Sequence, residues 1–263
     1  MTTNELKQII LTNDLNQFIH GADVQQIGIG CSGDSVLKIS KDGNDFFLKY
    51  SANKNIETEY KKLNWLQGRL PVPQIISYQH ENGIHYLLTR GLDGEMICTP
   101  RYMKNWHSGL NVILQAFEKL WTTDIKDCPF DARLDYKLKQ IKVKIDSEQI
   151  KPEDIRPEFL EKYGSIDGIY EYLIKNKPDE QLCFSHGDTS LPNIFGHGDK
   201  LSGFIDVSDC GVGDIWFDIA VTAKSIKRNY NEEAVQIFYC EIKNKIGKIK
   251  YDIIDYYLTL VEL

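Results

Sequence analysis

The order of secondary-structure patterns along the chain constrains its fold more than any other feature of the sequence. Within the first 90 residues short strand-like runs predominate, whereas from about residue 108 apolar residues recur at helical spacing. The stretch 91–94, Gly-Leu-Asp-Gly, separates the two patterns and has the composition of a link. The sequence therefore predicts an α+β fold with two lobes: residues 1–90 form an antiparallel sheet with one helix, and residues 95–263 form a mostly helical lobe. Lobes joined by one short linker, 91–94, are expected to leave a ligand-binding cleft.

The individual elements are predicted from apolar periodicity and turn residues. Asp42-Gly43-Asn44 and His80-Glu81-Asn82-Gly83 each separate two strand-like runs, as expected for hairpin turns. Strands are predicted at residues 24–30, 35–40, 45–50, 74–79 and 84–90, and helices at 3–12, 53–68, 109–121, 134–145, 166–174, 215–226 and 232–242.

Charge and cysteine content narrow the range of functions. The formal net charge of −7 argues against a nucleic-acid partner, because phosphate backbones bind basic surfaces, and it suits a cationic ligand. The six cysteines are scattered without a CxxC pair, which indicates no zinc-type pairing and is typical of a reducing compartment. The N-terminal segment has only one short apolar run, so neither a signal peptide nor a membrane span is predicted. We therefore expect a cytoplasmic protein without a membrane partner, and either a monomer or a weak dimer.

The strongest chemical signal is His186-Gly187-Asp188, followed by Asn193 and, at the end of a later strand, by Asp206. A hairpin between Asn193 and Asp206 would bring these two side chains close together. Phosphoryl transfer requires a carboxylate that orients and deprotonates the attacking hydroxyl, and hard oxygen ligands for magnesium. Asp188 is therefore the candidate catalytic base, and Asn193 and Asp206 are the candidate Mg²⁺ ligands. The D-x-x-x-x-N spacing matches the catalytic loop of protein kinases.

A nucleotide also needs a cation for its phosphates. Lys49 lies on a predicted strand that could present it to the cleft, and Glu59, on the following predicted helix, could pair with it. The small-residue turn 30–35, with Ser32, could bring backbone N–H groups close to a phosphate. Residues 1–90 are thus the expected nucleotide-binding lobe, with ATP as the cosubstrate.

With these motifs the chain resembles the aminoglycoside phosphotransferases, in particular their 3′-phosphotransferase (kanamycin kinase) branch, over nearly its whole length. The resemblance implies a protein-kinase-like bilobal fold and an enzyme that moves the γ-phosphate of ATP, with Mg²⁺, to a hydroxyl of an aminoglycoside. The 3′-hydroxyl is the expected acceptor and antibiotic resistance the expected outcome. Phe47 and Ile205 would then sandwich adenine, and backbone groups of Arg90 and Leu92 would bond to its edge. The resemblance is carried by Phe47-Leu48-Lys49, Glu59, the segments 65–73, 184–195 and 202–206, and Asp218-Ile219-Ala220.

Acidic residues are expected to bind the cationic acceptor, because carboxylates form charge-assisted hydrogen bonds with ammonium groups. Residues 146–181 hold ten acids against five bases, and the candidates within them are Glu158, Glu161 and Asp167. Glu262 matches the acidic tail of the family. Two departures leave the choice of acceptor open: Ser208-Asp209 replaces a common Gly-Arg, and Val261 replaces a common second tail acid.

Other functions remain alternatives to this assignment. A related kinase could act on a macrolide, an amino alcohol or another sugar. His186, Asp188, Asp206 and Asp209 could instead hold a metal for phosphoester hydrolysis, which leaves the predicted lysine–glutamate pair without a role. A non-catalytic nucleotide-binding module is a further alternative.

Three polar residues near the motif are given structural roles. His186 is expected to brace the loop rather than to act as a base. Asp214 and Asp218 flank Trp216 at a predicted helix start, where they are expected to cap the helix and to pack behind the metal loop.

Overall fold

The computed structural model describes residue 15 and residues 18–29 and 34–263. The chain divides into two compact units, Met1–Asp93 and Gly94–Leu263, so the boundary falls within the segment 91–94. The predicted helix over residues 3–12 and the turn residues 30–33, with Ser32, lie outside the described residues.

The first unit is built on a five-stranded antiparallel sheet in the order β1-β2-β3-β5-β4, which places β3 at its centre. The helix α1 (Asn55–Leu66) connects β3 to β4. The strands are β1 (Asp23–Ile29), β2 (Ser35–Lys41), β3 (Asn44–Ser51), β4 (Ile75–Glu81) and β5 (Ile84–Arg90).

Alternation along β3 decides which of its side chains enter the core. Phe46, Leu48 and Tyr50 belong to the hydrophobic core of this unit, whereas the residues between them point to the other face of the sheet. Lys49 therefore lies on the face that the core does not use. The predicted hairpin turn before β3 has the type I′ geometry that suits strand twist, because both Asp42 and Gly43 have positive φ, 50° and 74°.

The second unit is mostly helical and carries two small antiparallel sheets, β6-β8-β9 and β7-β10. Its helices are α2 (Pro100–Lys104), α3 (Trp106–Thr122), α4 (Leu134–Asp146), α5 (Pro157–Tyr163), α6 (Ile166–Lys175), α7 (Ile215–Asn229), α8 (Glu232–Ile246) and α9 (Tyr251–Leu260). Its strands are β6 (Glu95–Met96), β7 (Leu182–Ser185), β8 (Ile194–His197), β9 (Lys200–Phe204) and β10 (Gly211–Asp214).

The helix α7 lies at the centre of this unit and packs against α8, α9 and β7. Trp216 and Asp218 lie on nearly opposite sides of the helix, about 200° apart, and are 1% and 0% exposed, so the helix is buried on more than one face. A helix surrounded in this way is held in position by packing, and its polar side chains can therefore act as fixed anchors.

The predicted α+β fold class is confirmed, with a sheet-rich first part and a helical second part. The short helices α2, α5 and α9 and the strand pair β7-β10 were not predicted. The two glycines of β10 give no strand signal, yet the packing demands them. A Cβ on Gly211 would lie 2.6 Å from the backbone oxygen of Phe130, and one on Gly213 would lie 2.9 Å from Ser185 Cβ.

None of the helices in the described part of the chain combines the length and the apolar character needed to cross a bilayer.

Candidate active site

Asp188 is delivered by the buried strand β7 and by a tight turn at Gly187. Gly187 has a φ of +83°, which is unfavourable for other residues. A Cβ at this position would lie 2.3 Å from the backbone oxygen of Asp209. Glycine therefore allows the loop that carries Asp188 to pass directly beside the segment that follows Asp206.

A buried carboxylate on α7 holds this loop. Asp218 is fully buried, and it accepts the backbone N–H groups of His186 at 3.1 Å and of Gly187 at 3.2 Å. Its own backbone oxygen accepts the Thr189 hydroxyl at 2.9 Å. Burial raises the pKa of Asp218 to about 6, although the two N–H bonds act in the opposite direction. The loop is thus attached on both sides of Asp188 to one residue of the central helix.

His186 joins the loop to the end of β9. Its Nδ1 accepts the backbone N–H of Asp188 at 3.3 Å, so its Nε2 must carry the proton that it donates to the backbone oxygen of Ile205 at 3.1 Å. Burial lowers the pKa of His186, against the opposing effect of the nearby carboxylates. The imidazole is therefore neutral and fully engaged, which confirms its role as a brace.

Asn193 fixes the orientation of the Asp188 carboxylate. The Asn193 Nδ2 donates to Asp188 Oδ2 at 2.8 Å, and the backbone N–H of Ser190 donates to Asp188 Oδ1 at 3.2 Å. The same amide nitrogen lies 3.1 Å from the Asp188 backbone oxygen and 3.3 Å from Ser190 Oγ. Each carboxylate oxygen of Asp188 therefore has one donor, and lone pairs remain for a substrate hydroxyl.

The hairpin of β8 and β9 brings the two candidate metal ligands to the same end of a sheet. Ile194 pairs with Phe204, and the backbone N–H of Ile205 donates to the backbone oxygen of Asn193 at 3.0 Å. Asp206 follows directly, is exposed, and has a left-handed backbone with φ of 57°. A non-glycine residue in this conformation costs roughly 1–2 kcal/mol, and such strain is found where a side chain must be presented in one direction.

The oxygen donors at this end fit a magnesium ion. Because Asn193 Nδ2 is directed at Asp188, its Oδ1 is the side-chain atom left to act as a ligand, and it makes no hydrogen bond within the described residues. Asp206 supplies an accessible carboxylate. One amide oxygen and one carboxylate are the hard, incomplete donor set that Mg²⁺ uses when phosphates and water complete its octahedron.

The hydrolytic metal site considered as an alternative is wrong. Across residues 15, 18–29 and 34–263, no three or more His, Cys, Asp or Glu side chains are grouped so that they could hold a metal ion. His186 in particular is 1% exposed, and both of its ring nitrogens are engaged in hydrogen bonds.

In the first unit, Lys49 and Glu59 form the predicted ion pair. Lys49 Nζ lies 2.7 Å from one carboxylate oxygen of Glu59 and 2.9 Å from the other. The Glu59 side chain, which α1 carries, is 11% exposed and the Lys49 side chain 28%, so the acid is mostly buried while the ammonium reaches solvent. A pair of this kind fixes the lysine and leaves part of its ammonium group accessible.

The proposed adenine contacts of the first unit lie at the end of β5. The ring of Phe47 is half-buried beside Gly91, where an added Cβ would lie 2.9 Å from it. The backbone N–H of Arg90 already donates to Gln74, and that of Gly91 donates to Asp45. The N–H of Leu92 makes no hydrogen bond within the described part of the chain. Ile205, the other proposed adenine contact, is half-buried in the second unit.

Two of the candidate substrate acids are already paired with Arg156, which lies 3.3 Å from Glu158 and 2.8 Å from Glu262. Glu158, Glu161 and Asp167 are exposed on α5 and α6. The Glu262 side chain is only 4% exposed, and it accepts hydrogen bonds from Arg156 at 2.8 and 3.0 Å and from Lys224 at 3.0 Å. Burial disfavours its charged form, but the two cations outweigh burial and lower the pKa of Glu262. Its charge is thus already compensated within the protein.

A cavity of about 360 Å³ opens beside Asp188 in the second unit. One wall is a face of α7 that sequence reasoning missed, although its residues recur at helical spacing. The lining residues are Gly187, Asp188, Ser190, Asp209, Phe217, Val221, Lys224, Ser225, Arg228 and Val261.

The predicted helix-capping role is confirmed for Asp214, which precedes α7 and accepts the backbone N–H of Trp216 at 3.3 Å. Asp218 does more than cap and pack, because its carboxylate binds the loop of Asp188. Sequence reasoning missed this contact, since nothing in the sequence states that a residue 30 positions after Asp188 turns back to it.

Known proteins that this chain is similar to include aminoglycoside phosphotransferases. The family model of the phosphotransferase enzyme family, APH, matches residues 23–239. The aminoglycoside 3′-phosphotransferase of Niallia circulans is 31% identical over 239 residues, which are 89% of this chain and 90% of that protein. The aminoglycoside 3′-phosphotransferase of Enterococcus faecalis is 30% identical over 245 residues, with the same coverage of 89% and 90%.

Solved structures show the same fold at lower sequence identity. The crystal structure of an aminoglycoside-3′-phosphotransferase of type VIII superposes with a TM-score of 0.80 at 22% identity, covering 95% of this chain and 99% of that one. An aminoglycoside phosphotransferase of Streptomyces rimosus, in complex with ADP and streptomycin, superposes with a TM-score of 0.75 at 19% identity and covers 98% of both chains.

The anchor at Asp218 predicts a specific pH dependence of stability. Its pKa is about 6 in the folded protein and 3.8 for an ordinary aspartate, so the folded state binds this proton more tightly. The stabilisation of the folded state by protonated Asp218 is complete below about pH 4 and is lost as the pH rises through 6. The free energy of unfolding of the wild type should therefore fall relative to Asp218→Asn by on the order of 2 kcal/mol between pH 4 and 7.

Denaturant unfolding at both pH values measures this difference, with Asp127→Asn as the control at an exposed aspartate. An equal difference between wild type and Asp218→Asn at pH 4 and pH 7 would show that burial does not perturb this carboxyl group.

Proposed function

Because the chain belongs to the APH phosphotransferase enzyme family, we propose that it transfers the γ-phosphoryl group of ATP to a hydroxyl of an aminoglycoside, with the 3′-hydroxyl as acceptor. The product would be a phosphorylated, inactivated antibiotic. The observation that supports this proposal most strongly is the fixed orientation of the Asp188 carboxylate by Asn193 and Ser190 beside an open cavity.

Asp188 is the proposed catalytic base. It orients the acceptor hydroxyl and takes its proton as the acceptor oxygen forms a bond to the γ-phosphorus of ATP. The bond between this phosphorus and the bridging oxygen of the β-phosphate breaks, and ADP is released. Since its two donors and the anchor at Asp218 fix the carboxylate in advance, little reorganisation is needed during the reaction. Its neighbour His186 is neutral and bonded on both sides, so it positions the loop and does not take part in proton transfer.

Asn193 Oδ1 and the Asp206 carboxylate are the groups that would hold Mg²⁺. The ion, when bound, neutralises charge on the β- and γ-phosphates. The contribution of the protein is to keep the amide oxygen available, which it does by binding Nδ2 to Asp188, and to present Asp206 from a left-handed turn.

ATP binding is proposed to use the ion pair of the first unit. Lys49, fixed by Glu59, contacts the α- and β-phosphates, and Ser32 contributes a backbone contact to the phosphates. Phe47 and Ile205 are each proposed to contact adenine. Backbone groups of Arg90 and Leu92 are proposed to form hydrogen bonds with the edge of the base.

The acceptor class rests on the relatives, which are named aminoglycoside 3′-phosphotransferases. Glu158, Glu161 and Asp167 are proposed to bind ammonium groups of the aminoglycoside. Glu262 could do so only after giving up a contact with Arg156 or Lys224, so we assign it chiefly to the positioning of these two cations. The enzyme is proposed to act in the cytoplasm, where ATP is available, as a monomer or weak dimer.

A second candidate is a related small-molecule kinase that acts on another hydroxyl compound, such as a macrolide, an amino alcohol or a sugar. It is favoured by Arg228, a basic residue that lines the cavity beside Asp188, since polycationic acceptors would be repelled by it.

The proposed reaction is tested by mass spectrometry of kanamycin after incubation with the protein, ATP and Mg²⁺. We expect one added phosphate on kanamycin with the wild type. Asp188→Asn, which keeps the shape of the side chain and removes its basicity, should lower turnover by roughly 10²–10⁴-fold while ATP still binds. Asp127→Asn serves as the exposed control. Unmodified kanamycin together with phosphorylation of a macrolide or amino alcohol would favour the second candidate, and near-normal turnover by Asp188→Asn would remove Asp188 from the role of base.

The proposed role of the Lys49–Glu59 pair predicts that its loss weakens ATP binding without affecting binding of the acceptor. Lys49→Met should raise the KM for ATP by about tenfold or more, because a charge-assisted contact with the phosphates is lost, and it should leave the KM for kanamycin nearly unchanged. Glu59→Gln should have a smaller effect of the same kind, since the lysine keeps its charge but loses its anchor. The matched control is Lys61→Met, an exposed lysine paired with Glu57 on the same helix. Equal KM values for ATP in Lys49→Met and the wild type would exclude the phosphate contact.

A further inference from the structure

The cavity beside Asp188 contains two charged side chains that the protein itself does not neutralise. Asp209 and Arg228 both line it, and within the described residues neither forms a hydrogen bond or an ion pair through its side chain. Both are exposed. An exposed charge that lines a cavity without a partner in the protein can still form a charge-assisted contact with a bound molecule.

Asp209 lies at the end of the cavity where the reaction takes place. A Cβ on Gly187, the residue before Asp188, would lie 2.8 Å from Asp209 Cβ and 2.3 Å from its backbone oxygen. The Asp209 side chain therefore leaves the backbone directly beside the loop of the catalytic base. A carboxylate at this position faces groups that are carried next to the reacting hydroxyl.

Arg228 lies farther along α7. Asp218 on this helix binds the loop at Gly187, and Ser225 Oγ accepts the backbone N–H of Leu191 at 2.9 Å. Arg228 follows Asp218 by ten residues, which corresponds to about 15 Å of helix. The positive charge is thus offset along the cavity wall from the negative charge of Asp209.

The remaining wall adds little net charge. Lys224 is paired with Glu262 at 3.0 Å, and Val261 offers an apolar side chain. None of the three acids assigned to the acceptor, Glu158, Glu161 and Asp167, lines this cavity. Asp209 and Arg228 are therefore the side chains that can recognise charged groups of an acceptor inside the cavity.

We propose that this cavity selects its acceptor by the position of charge: Asp209 binds an ammonium group next to the reacting hydroxyl, and Arg228 disfavours ammonium groups farther along α7. The preferred acceptor is an amino sugar with its amine adjacent to the phosphorylated hydroxyl and with hydroxyl or anionic groups at the Arg228 end. This selectivity rests on the phosphotransfer proposed above and deepens it.

Two kanamycins form a matched pair of probes for Asp209. Kanamycin A carries a hydroxyl and kanamycin B an amine on the carbon next to the 3′-hydroxyl, and the two are otherwise identical. The wild type should use kanamycin B with a kcat/KM about tenfold higher than kanamycin A, since a hydrogen bond between charged groups exceeds one to a neutral hydroxyl. In Asp209→Asn this ratio should fall to about one, and in the control Asp127→Asn it should stay near ten.

The ratio is insensitive to a loss of folded protein, because misfolding lowers the rate on both acceptors equally. A ratio near one in the wild type, or an unchanged ratio in Asp209→Asn, would overturn the assignment of Asp209. Absence of phosphate transfer to either kanamycin would overturn the proposed acceptor class itself. The result with the wild type therefore distinguishes failure of the acceptor class from failure of the Asp209 assignment.

Arg228 is tested by its effect on both kanamycins, which share ammonium groups away from the 3′-hydroxyl. Arg228→Gln should lower the KM of both by roughly threefold, the size expected for an exposed charge. The control Lys227→Gln removes the same charge from the next residue, which is paired with Glu232 and does not line the cavity. A KM in Arg228→Gln that equals or exceeds that of Lys227→Gln would overturn the role of Arg228.

Discussion

The structure of the candidate active site depends on one buried carboxylate. Asp218, on the central helix of the second unit, accepts the backbone N–H groups of His186 and Gly187, and its main chain binds Thr189. A buried backbone N–H without a partner costs about 1–3 kcal/mol, so the loop cannot leave this carboxylate without loss. Burial in turn raises the pKa of Asp218, and the energy cost of holding it charged is partly offset by the hydrogen bonds that it accepts from the loop.

From this anchor the order extends to both sides of Asp188. His186 donates a hydrogen bond to the backbone oxygen of Ile205, the residue directly before Asp206. Asn193 donates a hydrogen bond to the Asp188 carboxylate itself. The proposed base and the two proposed metal ligands are thus linked by backbone and side-chain hydrogen bonds rather than held by separate loops. The same helix, α7, forms a wall of the cavity beside Asp188, so the proposed base and the proposed acceptor site share one rigid support.

Much of this arrangement could be predicted from the sequence, because local signals coincide there. Alternation along β3 and helical spacing along α1 predicted the elements that carry Lys49 and Glu59, and the hairpin after Asn193 was expected from its turn residues. The strand β10 and the loop contact of Asp218 could not be predicted, since both depend on partners far away in the chain. The ion pairs of Glu262 with Arg156 and Lys224 could not be predicted for the same reason, because Arg156 lies 106 residues before Glu262. Long-range pairing of this kind leaves no periodic trace in a single sequence.

The most direct test of the account is a crystal structure of the protein with Mg²⁺ and a non-hydrolysable ATP analogue. The account predicts an ion bound by Asn193 Oδ1 and by the Asp206 carboxylate at about 2.1 Å, with Asp188 outside the coordination sphere and facing the acceptor cavity. An ion coordinated by Asp188, or one that leaves Asn193 and Asp206 without contact, would contradict it.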